Sequence, residues 1–423
     1  MFPAPKAVLG IDFGTTNTVL ALLNPDGTST TARFGMQDVF RSVLCFWAED
    51  YGRGVAQGSR LRHEAGPAAI EAYLDDPLDS RLIMSMKTYL AQRSFSETTI
   101  FGRRFTLEAL IATFLRSFLA AAKVDPEGLR IVAGRPVRFA GERTDDDFGE
   151  TRLRAAFAEA GMGGVDVAYE PEGAGYRFAR TLNAPATVLI GDFGGGTSDF
   201  SLLRFVPGEG VEPLGHSGVG IAGDVFDYRI IDHVIAPRLG KGGTYRVMGG
   251  SELPVPPEWY SSFARWHRLS LMKNPRTLRD MRDVMRNARD PHRLANLIAL
   301  IEEEMGYRLY QTVSAAKAAL SGAESVRLSF HHKELAIDTE ITREQFEGWI
   351  AADIAQFAAA IDRVLEQAGR PEVDHVFLTG GTSFVPAVRR LFDERFGAGR
   401  VTTGGEFVSV AEGLALIARD RHG

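Results

Sequence analysis

"GDFGGGTSDF" (residues 191–200) is the stretch that indicates most about the fold of this chain. It follows an apolar run, residues 187–190, that is typical of a buried β-strand. It then places three consecutive glycines between Asp192 and Asp199. Glycine destabilises regular structure unless the chain turns tightly or another group approaches the backbone. The stretch therefore predicts a strand, a glycine turn with a carboxylate on each side, and a second strand.

A second copy of this plan lies near the N-terminus. "VLGIDFGTTNTVLALL" (residues 8–23) and "VLIGDFGGGTSDFSLLR" (residues 188–204) each contain an apolar strand, then Asp-Phe-Gly, then small residues and another strand-like run. Asp12 and Asp192 hold the same place in the two copies, at a spacing far too long for a solenoid repeat. The duplication predicts two similar lobes, each with one glycine-rich turn.

Such turns are suited to binding phosphate. Their successive backbone N–H groups form a concave anion site, and threonine hydroxyls add further donors. An aspartate at a strand end can hold water on a magnesium ion. A single copy would be read as an ordinary hairpin, since Gly-Gly turns are common hairpin devices. Two matched copies favour a polyphosphate that is bound from both sides.

Composition excludes several classes of protein. The 423 residues are 45% hydrophobic and 24% charged, as in ordinary globular proteins, and a net charge of -6 gives no bias toward nucleic acid or membrane. The one cysteine, Cys45, excludes an internal disulfide framework and fits a reducing compartment. The N-terminus does not read as a signal peptide, and no apolar run approaches the roughly 20 residues of a membrane span. A cytoplasmic location is expected.

Other nucleotide and metal motifs do not match. The chain has no G-x-x-x-x-G-K-[ST] loop, no H-E-x-x-H and no EF-hand loop. "GVGIAG" (residues 218–223) matches G-x-G-x-x-G, but no ribose-binding acid follows it in a βαβ unit, which disfavours a Rossmann fold. The better interpretation is a third glycine turn that opens a helix at Asp224, because a helix N-terminus favours phosphate.

The ordered motifs resemble a known family. The paired Asp-Phe-Gly turns resemble the phosphate motifs of the actin-like ATPase superfamily. Four more stretches are similar to motifs of the heat shock protein 70 (DnaK-type) chaperones, and they are "YEPEGAG" (169–175), "GIAGDVFD" (220–227), "SAAKAALS" (314–321) and "HVFLTGGTSFVPAVRRLF" (375–392). The resemblance implies an α/β, actin-like ATPase fold with two similar, duplicated ribonuclease H-like lobes around a nucleotide cleft. Because little sequence follows residue 419, the chain resembles the short, YegD-like members, for which no peptide-binding domain is expected.

The resemblance implies ATP or ADP with Mg²⁺ as ligands and a weak ATPase activity. Asp12 and Asp192 would hold the metal through water, and Glu170 would hold the attacking water, with a surface carboxylate at a turn as the alternative. Asp199 would be a second acceptor. Lys87 would be the family's phosphate lysine, although its flanking residues differ and a solvated helix lysine is the alternative. The nucleotide-binding candidates are Gly14, Thr15, Thr16, Asn17, Gly194, Gly195, Gly196, Thr197, Gly223, Asp224, Lys317, Ser321, Gly380, Gly381, Thr382 and Phe384.

The base site departs from the family pattern. Two arginines of the family sandwich the adenine, and Ala318 and Phe384 stand at their positions here, while Ser314 replaces a glutamate that contacts the ribose. Lys317 and Ser321 are retained. Since each lost guanidinium removes a contact of about 0.5–2 kcal/mol, the resemblance predicts weaker nucleotide binding and less preference for adenine over guanine.

The expected organisation has three parts. A first lobe covers residues 1–185, and a second lobe covers 186–407 with an inserted helical subdomain at about 224–320. A C-terminal helix, residues 408–423, is expected from the resemblance to pack back on the first lobe.

Local patterns predict several elements. Apolar spacing predicts a helix over residues 107–122, and a further helix is expected over 151–160. Thr342 and Gln345 form a capping-box pattern at the start of another helix. Residues 238–275, with Gly, Pro and Trp, are predicted to form a surface loop.

One basic stretch is not explained by nucleotide binding. Arginines recur at helical spacing over residues 276–293 and would share one face of a helix; they are Arg279, Arg282, Arg286, Arg289 and Arg293. Such a face can bind an acidic protein partner, whereas nucleic acid is not expected. The alternative is a solvated face that is partly paired with neighbouring aspartates.

Three functions stay open from the sequence alone. The first is an ATP-hydrolysing switch of the heat shock protein 70 type, related to molecular chaperones. The second is an actin-like protein that forms filaments under nucleotide control, and the third is a small-molecule kinase on the same fold. The Glu170 motif and the adenosine-type segments favour the first.

Overall fold

The computed structural model describes residues 7–48, 60–140, 144–179, 182–206, 210–247, 250–265, 272–404 and 408–422. It divides into two compact units. The first unit comprises Met1–Gly223 with Ile354–Gly423, and the second is Asp224–Asp353. The three-part organisation expected from the sequence stays a prediction.

The first unit contains most of the strands. They are β1 Val8–Phe13, β2 Asn17–Leu23, β3 Ser29–Thr31, β4 Phe40–Arg41, β5 Val43–Ala48, β6 Leu61–Ala65, β7 Ser80–Met84, β8 Glu97–Ile100, β9 Arg103–Thr106, β10 Arg130–Arg135, β11 Asp166–Tyr169, β12 Ala186–Phe193, β13 Ser198–Val206 and β14 Gly210–Val219. Four short strands of the second unit follow, β15 Thr244–Arg246, β16 Glu252–Pro254, β17 Ser325–His332 and β18 Leu335–Thr342, and then β19 His375–Thr379 and β20 Val401–Thr403.

The α-helices are α1 Pro67–Asp75, α2 Leu107–Ala122, α3 Asp146–Glu159, α4 Glu170–Ala179, α5 Gly223–Ile230, α6 Pro257–Phe263, α7 Pro275–Arg286, α8 Pro291–Glu302, α9 Gly306–Leu320, α10 Arg343–Gln367, α11 Pro386–Phe396 and α12 Ser409–His422. Short 3₁₀ segments cover Met86–Tyr89, Ala236–Leu239, Gly381–Phe384 and Ala398–Arg400, and Ile231–Ile235 is a π-helical turn. Among the described helices none is both long and apolar enough to span a membrane.

Two sheets of the first unit are built on one plan. The order is β11-β10-β1-β2-β3 in one and β20-β19-β12-β13-β14 in the other. In each sheet the central strand, β1 or β12, pairs in parallel with β10 or β19 and antiparallel with β2 or β13. The duplication predicted from the two Asp-Phe-Gly copies is therefore a duplication of strand order and direction.

Two apolar cores hold these sheets. One lies around α2 and contains aromatic side chains such as Phe13, Phe114 and Phe118, each fully buried. The other gathers residues of both sheets with α12, including Val19, Ile190 and Leu414. Because one continuous core contains side chains from β2, β12 and α12, burial of apolar surface stabilises the two sheets together.

Helix α12 packs against α4 at unusually short range. A Cβ atom added at Gly413 would lie 1.6 Å from the carbonyl oxygen of Gly173 in α4. A Cβ at Gly10 of β1 would lie 2.0 Å from the carbonyl oxygen of Ala411. These contacts are with backbone atoms, which cannot move aside as a flexible side chain can. Glycine is therefore required here for close approach.

The second unit has a mixed architecture. It contains the hairpins β15–β16 and β17–β18 and the helices α6 to α9. Its interior includes Tyr260, Leu297 and Val313, each at most 1% exposed. The Tyr260 hydroxyl donates to the carbonyl of Leu239 at 3.2 Å.

Several local predictions are confirmed. The predicted helix over 107–122 is α2 with the same bounds. The capping box is present, since the amide of Thr342 donates to Gln345 Oε1 at 3.0 Å and the amide of Gln345 donates to Thr342 Oγ1 at 3.2 Å. The glycine turn before Asp224 opens α5, as expected. The two strands predicted within residues 8–23 are β1 and β2.

Two local predictions are wrong. The helix expected over 151–160 begins earlier, at Asp146, because the Asp145 side chain caps it by accepting from the amide of Phe148 at 3.0 Å. The stretch 238–275 is not one surface loop, since it contains β15, β16 and α6. Buried Tyr260 and Phe263 anchor α6, so apolar burial outweighs the nearby Gly and Pro residues. Residues 266–271 of this stretch lie outside the described ranges.

Substitution of Gly413 tests the close contact between α4 and α12. Gly413→Ala should lower the free energy of unfolding by at least about 1–3 kcal/mol, because the new methyl group overlaps the Gly173 carbonyl. Gly348→Ala is the matched control, because no atom lies within 4 Å of a Cβ added at this helical glycine. It should change stability by about 1 kcal/mol or less, in the favourable direction. Urea unfolding followed by circular dichroism compares them, and equal stability of the two variants would contradict the packing argument.

Candidate functional site

The candidate site begins with the turn between β1 and β2. Residues 14–17 form it, and the buried Ser42 supports it from the neighbouring strand: Ser42 Oγ donates to the carbonyl of Gly14 at 2.7 Å, and its amide donates to the carbonyl of Thr16 at 2.9 Å. Arg41 donates to Asn17 Oδ1 at 3.1 Å. Thr15 is buried, with 8% of its surface exposed. The turn is therefore held in shape by β4–β5 residues before any ligand is bound.

The second turn, residues 194–197 between β12 and β13, comes close to the first. The amide of Gly194 donates to the carbonyl of Thr197 at 2.9 Å, which closes the turn. A Cβ atom added at Gly196 would lie 3.2 Å from Thr15 Oγ1. The two predicted phosphate turns are thus neighbours within the first unit, as a polyphosphate bound between them requires.

A buried ion pair lies beside these turns. Lys87 Nζ donates to Glu170 Oε1, and the side chains of the two residues are only 5% and 8% exposed. Glu170 is the first residue of α4, where the positive end of the helix dipole stabilises a carboxylate. The solvated-lysine and surface-carboxylate alternatives for these two residues are therefore wrong.

The lysine is carried by a short turn. Lys87 lies in the 3₁₀ segment Met86–Tyr89, which follows β7. Ser85, directly before it, has a left-handed backbone with φ 50° and ψ 34°. Its hydroxyl is buried, and no hydrogen-bond partner for it is found within the described ranges.

Asp199 is fixed by backbone donors. Its Oδ1 atom accepts from the amides of Val137 at 2.8 Å and Arg138 at 3.3 Å, and the Thr197 hydroxyl also hydrogen-bonds the carboxylate. Only 1% of Asp199 is exposed. A Cβ at Gly218 of β14 would lie 2.5 Å from this same Oδ1 atom. The carboxylate is therefore enclosed, and its position does not depend on a ligand.

Electrostatics show that negative charge is concentrated here. Burial, together with the Glu170 carboxylate, raises the pKa of Asp12 to about 7, against the lowering effect of Lys87. Burial and Glu170 likewise raise the pKa of Asp199 to about 7. The pKa of Asp192 is raised well above its ordinary value by burial and by the other three carboxylates.

Lys87 shows the opposite response. Burial lowers its pKa, but Glu170, Asp12 and Asp199 outweigh this effect, so the net shift is upward. The ammonium form is therefore strongly favoured. One ammonium group faces four carboxyl groups, and the raised pKa values of Asp12, Asp192 and Asp199 show that it compensates their charge only in part.

The donor set fits a magnesium ion held through water. Asp12 and Asp192 offer carboxylate oxygens, which hard divalent cations prefer, and both remain partly accessible to solvent. The described residues contain no group of three or more His, Cys, Asp and Glu side chains that could hold a metal ion directly. Magnesium usually keeps several of its waters and takes one or two carboxylates together with substrate phosphates.

The adenosine-type segment is partly defined. In the first unit, β19 ends at Thr379 and leads into the 3₁₀ segment Gly381–Phe384. Gly380 has φ +86°, and a Cβ there would lie 2.0 Å from the carbonyl of Phe193. Thr382 is buried, whereas Phe384 is 41% exposed. This turn therefore lies directly against the end of β12.

The remaining candidates belong to the second unit. Lys317 on α9 donates to Asp227 of α5 at 2.9 Å. Asp227 is 1% exposed, and burial raises its pKa although Lys317 opposes this effect. Asp224 is in the first turn of α5, and Ser321 caps α9. That these residues and Gly223 join the phosphate turns around one nucleotide stays a prediction.

The Arg-rich stretch does not form one helical face. It is divided between α7 and α8, and the chain leaves the helix at Asn287. Four of the arginines pair with acids: Arg282 with Glu302, Arg286 with Asp283 at 3.0 Å, Arg289 with Glu252 at 2.7 Å and Arg293 with Asp290 at 2.7 Å. Pro291 at the start of α8 explains the break, because proline cannot continue the preceding helix.

Sequence reasoning missed the supports of the site. Ser42, Arg41 and the Val137 amide lie in stretches without a recognised motif. They act through tertiary contacts with the turns or with Asp199. The "GRPVRF" stretch (residues 134–139) offered the one signal, since a glycine and a proline at a strand end indicate an irregular loop.

Known proteins are similar to this chain. The Hsp70 protein family model matches residues 292–422. The chain is 25% identical over 434 residues to the chaperone protein HscA homolog of Azotobacter vinelandii, covering 98% of this chain and 58% of the relative. It is 26% identical over 433 residues to the HscA homolog of Pseudomonas putida, and 25% identical over 420 residues to the chaperone protein DnaK of Thermotoga petrophila, covering 57% and 59% of these relatives.

The duplicated sheets with a glycine turn on each central strand define an actin-like ATPase fold, as the family match also indicates. The match of the family model to residues 292–422 and the similarities over nearly the whole chain are consistent with a member of the Hsp70 family. The chain spans just under three fifths of the length of the relatives named above. The fold class predicted from the motifs is confirmed, and the same findings support the family resemblance.

The excess of carboxylates predicts unequal effects of breaking the buried ion pair. Lys87→Met should lower the free energy of unfolding by about 3–5 kcal/mol, because it removes the one ammonium group among four carboxylates. Glu170→Gln should cost less than about 2 kcal/mol, since it retains a hydrogen-bond acceptor and removes one negative charge. Urea unfolding in magnesium-free buffer at neutral pH measures both. An equal or larger loss for Glu170→Gln would contradict the charge imbalance.

Proposed function

We propose that this protein is an ATP-binding switch of the Hsp70 type, which binds ATP or ADP with Mg²⁺ and hydrolyses ATP slowly. The observation that carries the proposal is the meeting of two glycine turns beside a buried Lys87–Glu170 pair and three aspartates. A chaperone role and a cytoplasmic location are part of the proposal. The names of the HscA and DnaK relatives support the chaperone role.

The turns would bind the phosphates. Backbone N–H groups of residues 14–17 and 194–197, with the hydroxyls of Thr15 and Thr197, supply donors for phosphate oxygens from two sides. Asp12 and Asp192 would hold the waters of the magnesium ion. When bound, that ion would offset the negative charge of the phosphates and of the carboxylate cluster. Lys87 would supply a fixed positive charge, which stabilises the negative charge that develops on the phosphate oxygens during phosphoryl transfer.

The same geometry supports slow hydrolysis. Glu170 is the candidate acceptor for a proton of the attacking water, but it already accepts a hydrogen bond from the Lys87 ammonium. That hydrogen bond occupies an acceptor position of the carboxylate, so the attacking water competes with the lysine for it. The site would therefore position a water molecule well and activate it weakly, which suits a switch more than a high-turnover enzyme.

The base would be held loosely. The exposed ring of Phe384, on the turn beside β12, can stack on a purine, and stacking does not distinguish adenine from guanine. Lys317 and Ser321 stay candidates for nucleotide binding, as the resemblance implies. A partner surface on the arginines of residues 276–293 is retained only as a prediction, since four of them pair within the second unit.

Asp192→Asn tests the proposed function. The substitution should lower the rate of ATP hydrolysis by at least about a hundredfold, because it removes one of two carboxylates that would hold the metal. The wild-type protein should be stabilised by about 2.7 kcal/mol when Mg-ATP is at a hundred times its Kd. Hydrolysis is measured by phosphate release and stability by urea unfolding. If millimolar Mg-ATP leaves the free energy of unfolding of the wild-type protein unchanged, the proposal is wrong.

Titration calorimetry with Mg-ADP and Mg-GDP tests the base site. We expect Kd values within about tenfold of each other, because stacking on Phe384 contributes about 1–3 kcal/mol for either purine. Phe384→Ala should weaken both nucleotides alike. Leu78→Ala is the control, since Leu78 is another exposed apolar side chain, 60% exposed, on a segment outside the proposed site. Tight ADP binding with strong rejection of GDP would show that the base site discriminates by other contacts.

A further inference from the structure

Arg152 is a buried arginine that the proposed function does not use. Its side chain is 5% exposed, and it projects from α3. The guanidinium group donates to the carbonyls of Phe95 at 3.0 Å, Tyr89 at 3.3 Å and Leu90 at 3.4 Å. Buried charges in proteins are rare unless they are paired and fully hydrogen-bonded. These three acceptors all belong to the segment that directly follows Lys87.

The segment carrying Lys87 cannot hold its own shape. Its one 3₁₀ turn, Met86–Tyr89, is too short to be stable by itself, since helix nucleation is unfavourable. The turn starts after Ser85, whose left-handed backbone is a strained conformation for a residue with a side chain. The carbonyls of Lys87 and Tyr89 accept from the amides of Leu90 at 3.2 Å and Gln92 at 3.1 Å, so the turn depends on the shape of the segment that follows it. Contacts from elsewhere in the fold must therefore fix the turn.

Arg152 meets this requirement from two directions. Its Nε atom donates to Glu108 Oε1 at 2.5 Å and Nη2 donates to Oε2 at 3.3 Å, which ties it to the first turn of α2. The guanidinium also lies over the Phe148 ring at 5.2 Å. Burial raises the pKa of Glu108, but the Arg152 guanidinium and the hydrogen bonds from the Glu108 amide and from Thr106 together outweigh this effect, so the net shift is downward and the pair is charged. Helices α2 and α3 thus hold the guanidinium group, and this group in turn binds the segment that follows the 3₁₀ turn of Lys87.

Further contacts join the same elements. The amide of Asp145, the N-cap of α3, donates to the carbonyl of Ala91 at 3.2 Å. Arg93 donates to Asp145 Oδ2 at 2.6 Å from a more exposed position. The segment after Lys87 is therefore attached to the N-terminal half of α3 at several points, and Arg152 is the buried one.

We propose that Arg152 is a positioning residue for Lys87, which it acts on through the backbone of residues 89–95. The inference rests on the proposed function insofar as Lys87 acts in phosphoryl transfer. Arg152 touches neither the phosphate turns nor the aspartates in any contact found among the described residues, so its loss should alter the placement of Lys87 while the nucleotide is still bound. The expected signature is a fall in kcat with little change in KM.

Arg152→Lys is the test, because lysine keeps the charge and the Glu108 pair but cannot donate to three carbonyls in a fork. The expected fall in kcat is roughly tenfold to a hundredfold, the range that a small misplacement of a catalytic group produces. KM for Mg-ATP should stay within about threefold. Arg154→Lys is the matched control, since Arg154 lies on the same helix and bonds Glu150 and the Val165 carbonyl instead. It should leave kcat within about twofold.

Amide hydrogen exchange supplies a readout that does not require activity. The peptide covering residues 85–96 should exchange faster in Arg152→Lys than in wild type or Arg154→Lys, while peptides from β12 and β13 stay unchanged. If the wild-type protein hydrolyses no ATP, the proposed function fails, and the exchange comparison still decides whether Arg152 fixes the turn. Unchanged exchange, or faster exchange with an unchanged kcat, would overturn the inference.

Glu108→Gln covers the case in which Arg152→Lys does not fold. It retains the arginine and its carbonyl contacts but removes the charge that holds the guanidinium toward α2. We expect intermediate effects, with faster exchange at residues 85–96 and a kcat reduced by about threefold to tenfold. Wild-type exchange and wild-type kcat in Glu108→Gln would count against the proposal.

Discussion

The concentration of four carboxylates around one buried ammonium is the constraint on which the site depends. Glu170, Asp12, Asp192 and Asp199 each disfavour the charge of the others, and Lys87 compensates only in part. A buried charge persists only where hydrogen bonds and opposite charges offset its desolvation. Asp199 obtains backbone amides, and Glu170 obtains the lysine and a helix N-terminus. Asp12 and Asp192 have the fewest such hydrogen bonds and opposite charges, and a bound cation would offset their charge.

The duplicated sheet is the means by which this charge is assembled. Each central strand, β1 or β12, has an aspartate as its second-last residue and passes into a glycine turn, so one local plan used twice brings two carboxylates and two anion sites together. The arrangement requires close packing elsewhere. The contact of Gly413 with Gly173 allows α12 to lie against α4, the helix whose first residue is Glu170. Backbone packing between α4 and α12 thereby fixes where the buried carboxylate lies.

The sequence was sufficient for features that local chemistry determines. The two glycine turns, α2 and the capping box of α10 follow from short patterns, and each is present as predicted. Features that depend on tertiary burial were not predictable. The helix α6 within a Gly- and Pro-rich stretch depends on the burial of Tyr260 and Phe263. The start of α3 at the Asp145 cap and the break before Pro291 do have local signals. Lys87 was only partly predictable. The sequence named it as a candidate, but its pairing with Glu170 joins residues 83 positions apart.

This difference has a physical reason that extends to the supports of the site. A residue that touches phosphate or metal has few chemical alternatives, so its type and spacing are readable without a structure. A residue that fixes such a group from behind can be replaced by many other arrangements of comparable energy, and it leaves no fixed motif. Ser42 behind the first turn and Arg152 behind the lysine turn are of this kind. Because the lysine turn is strained at Ser85 and too short to be stable by itself, the placement of its ammonium depends on side chains from α2 and α3. The charge balance of the site is therefore set as much by those two helices as by the motifs that identify it.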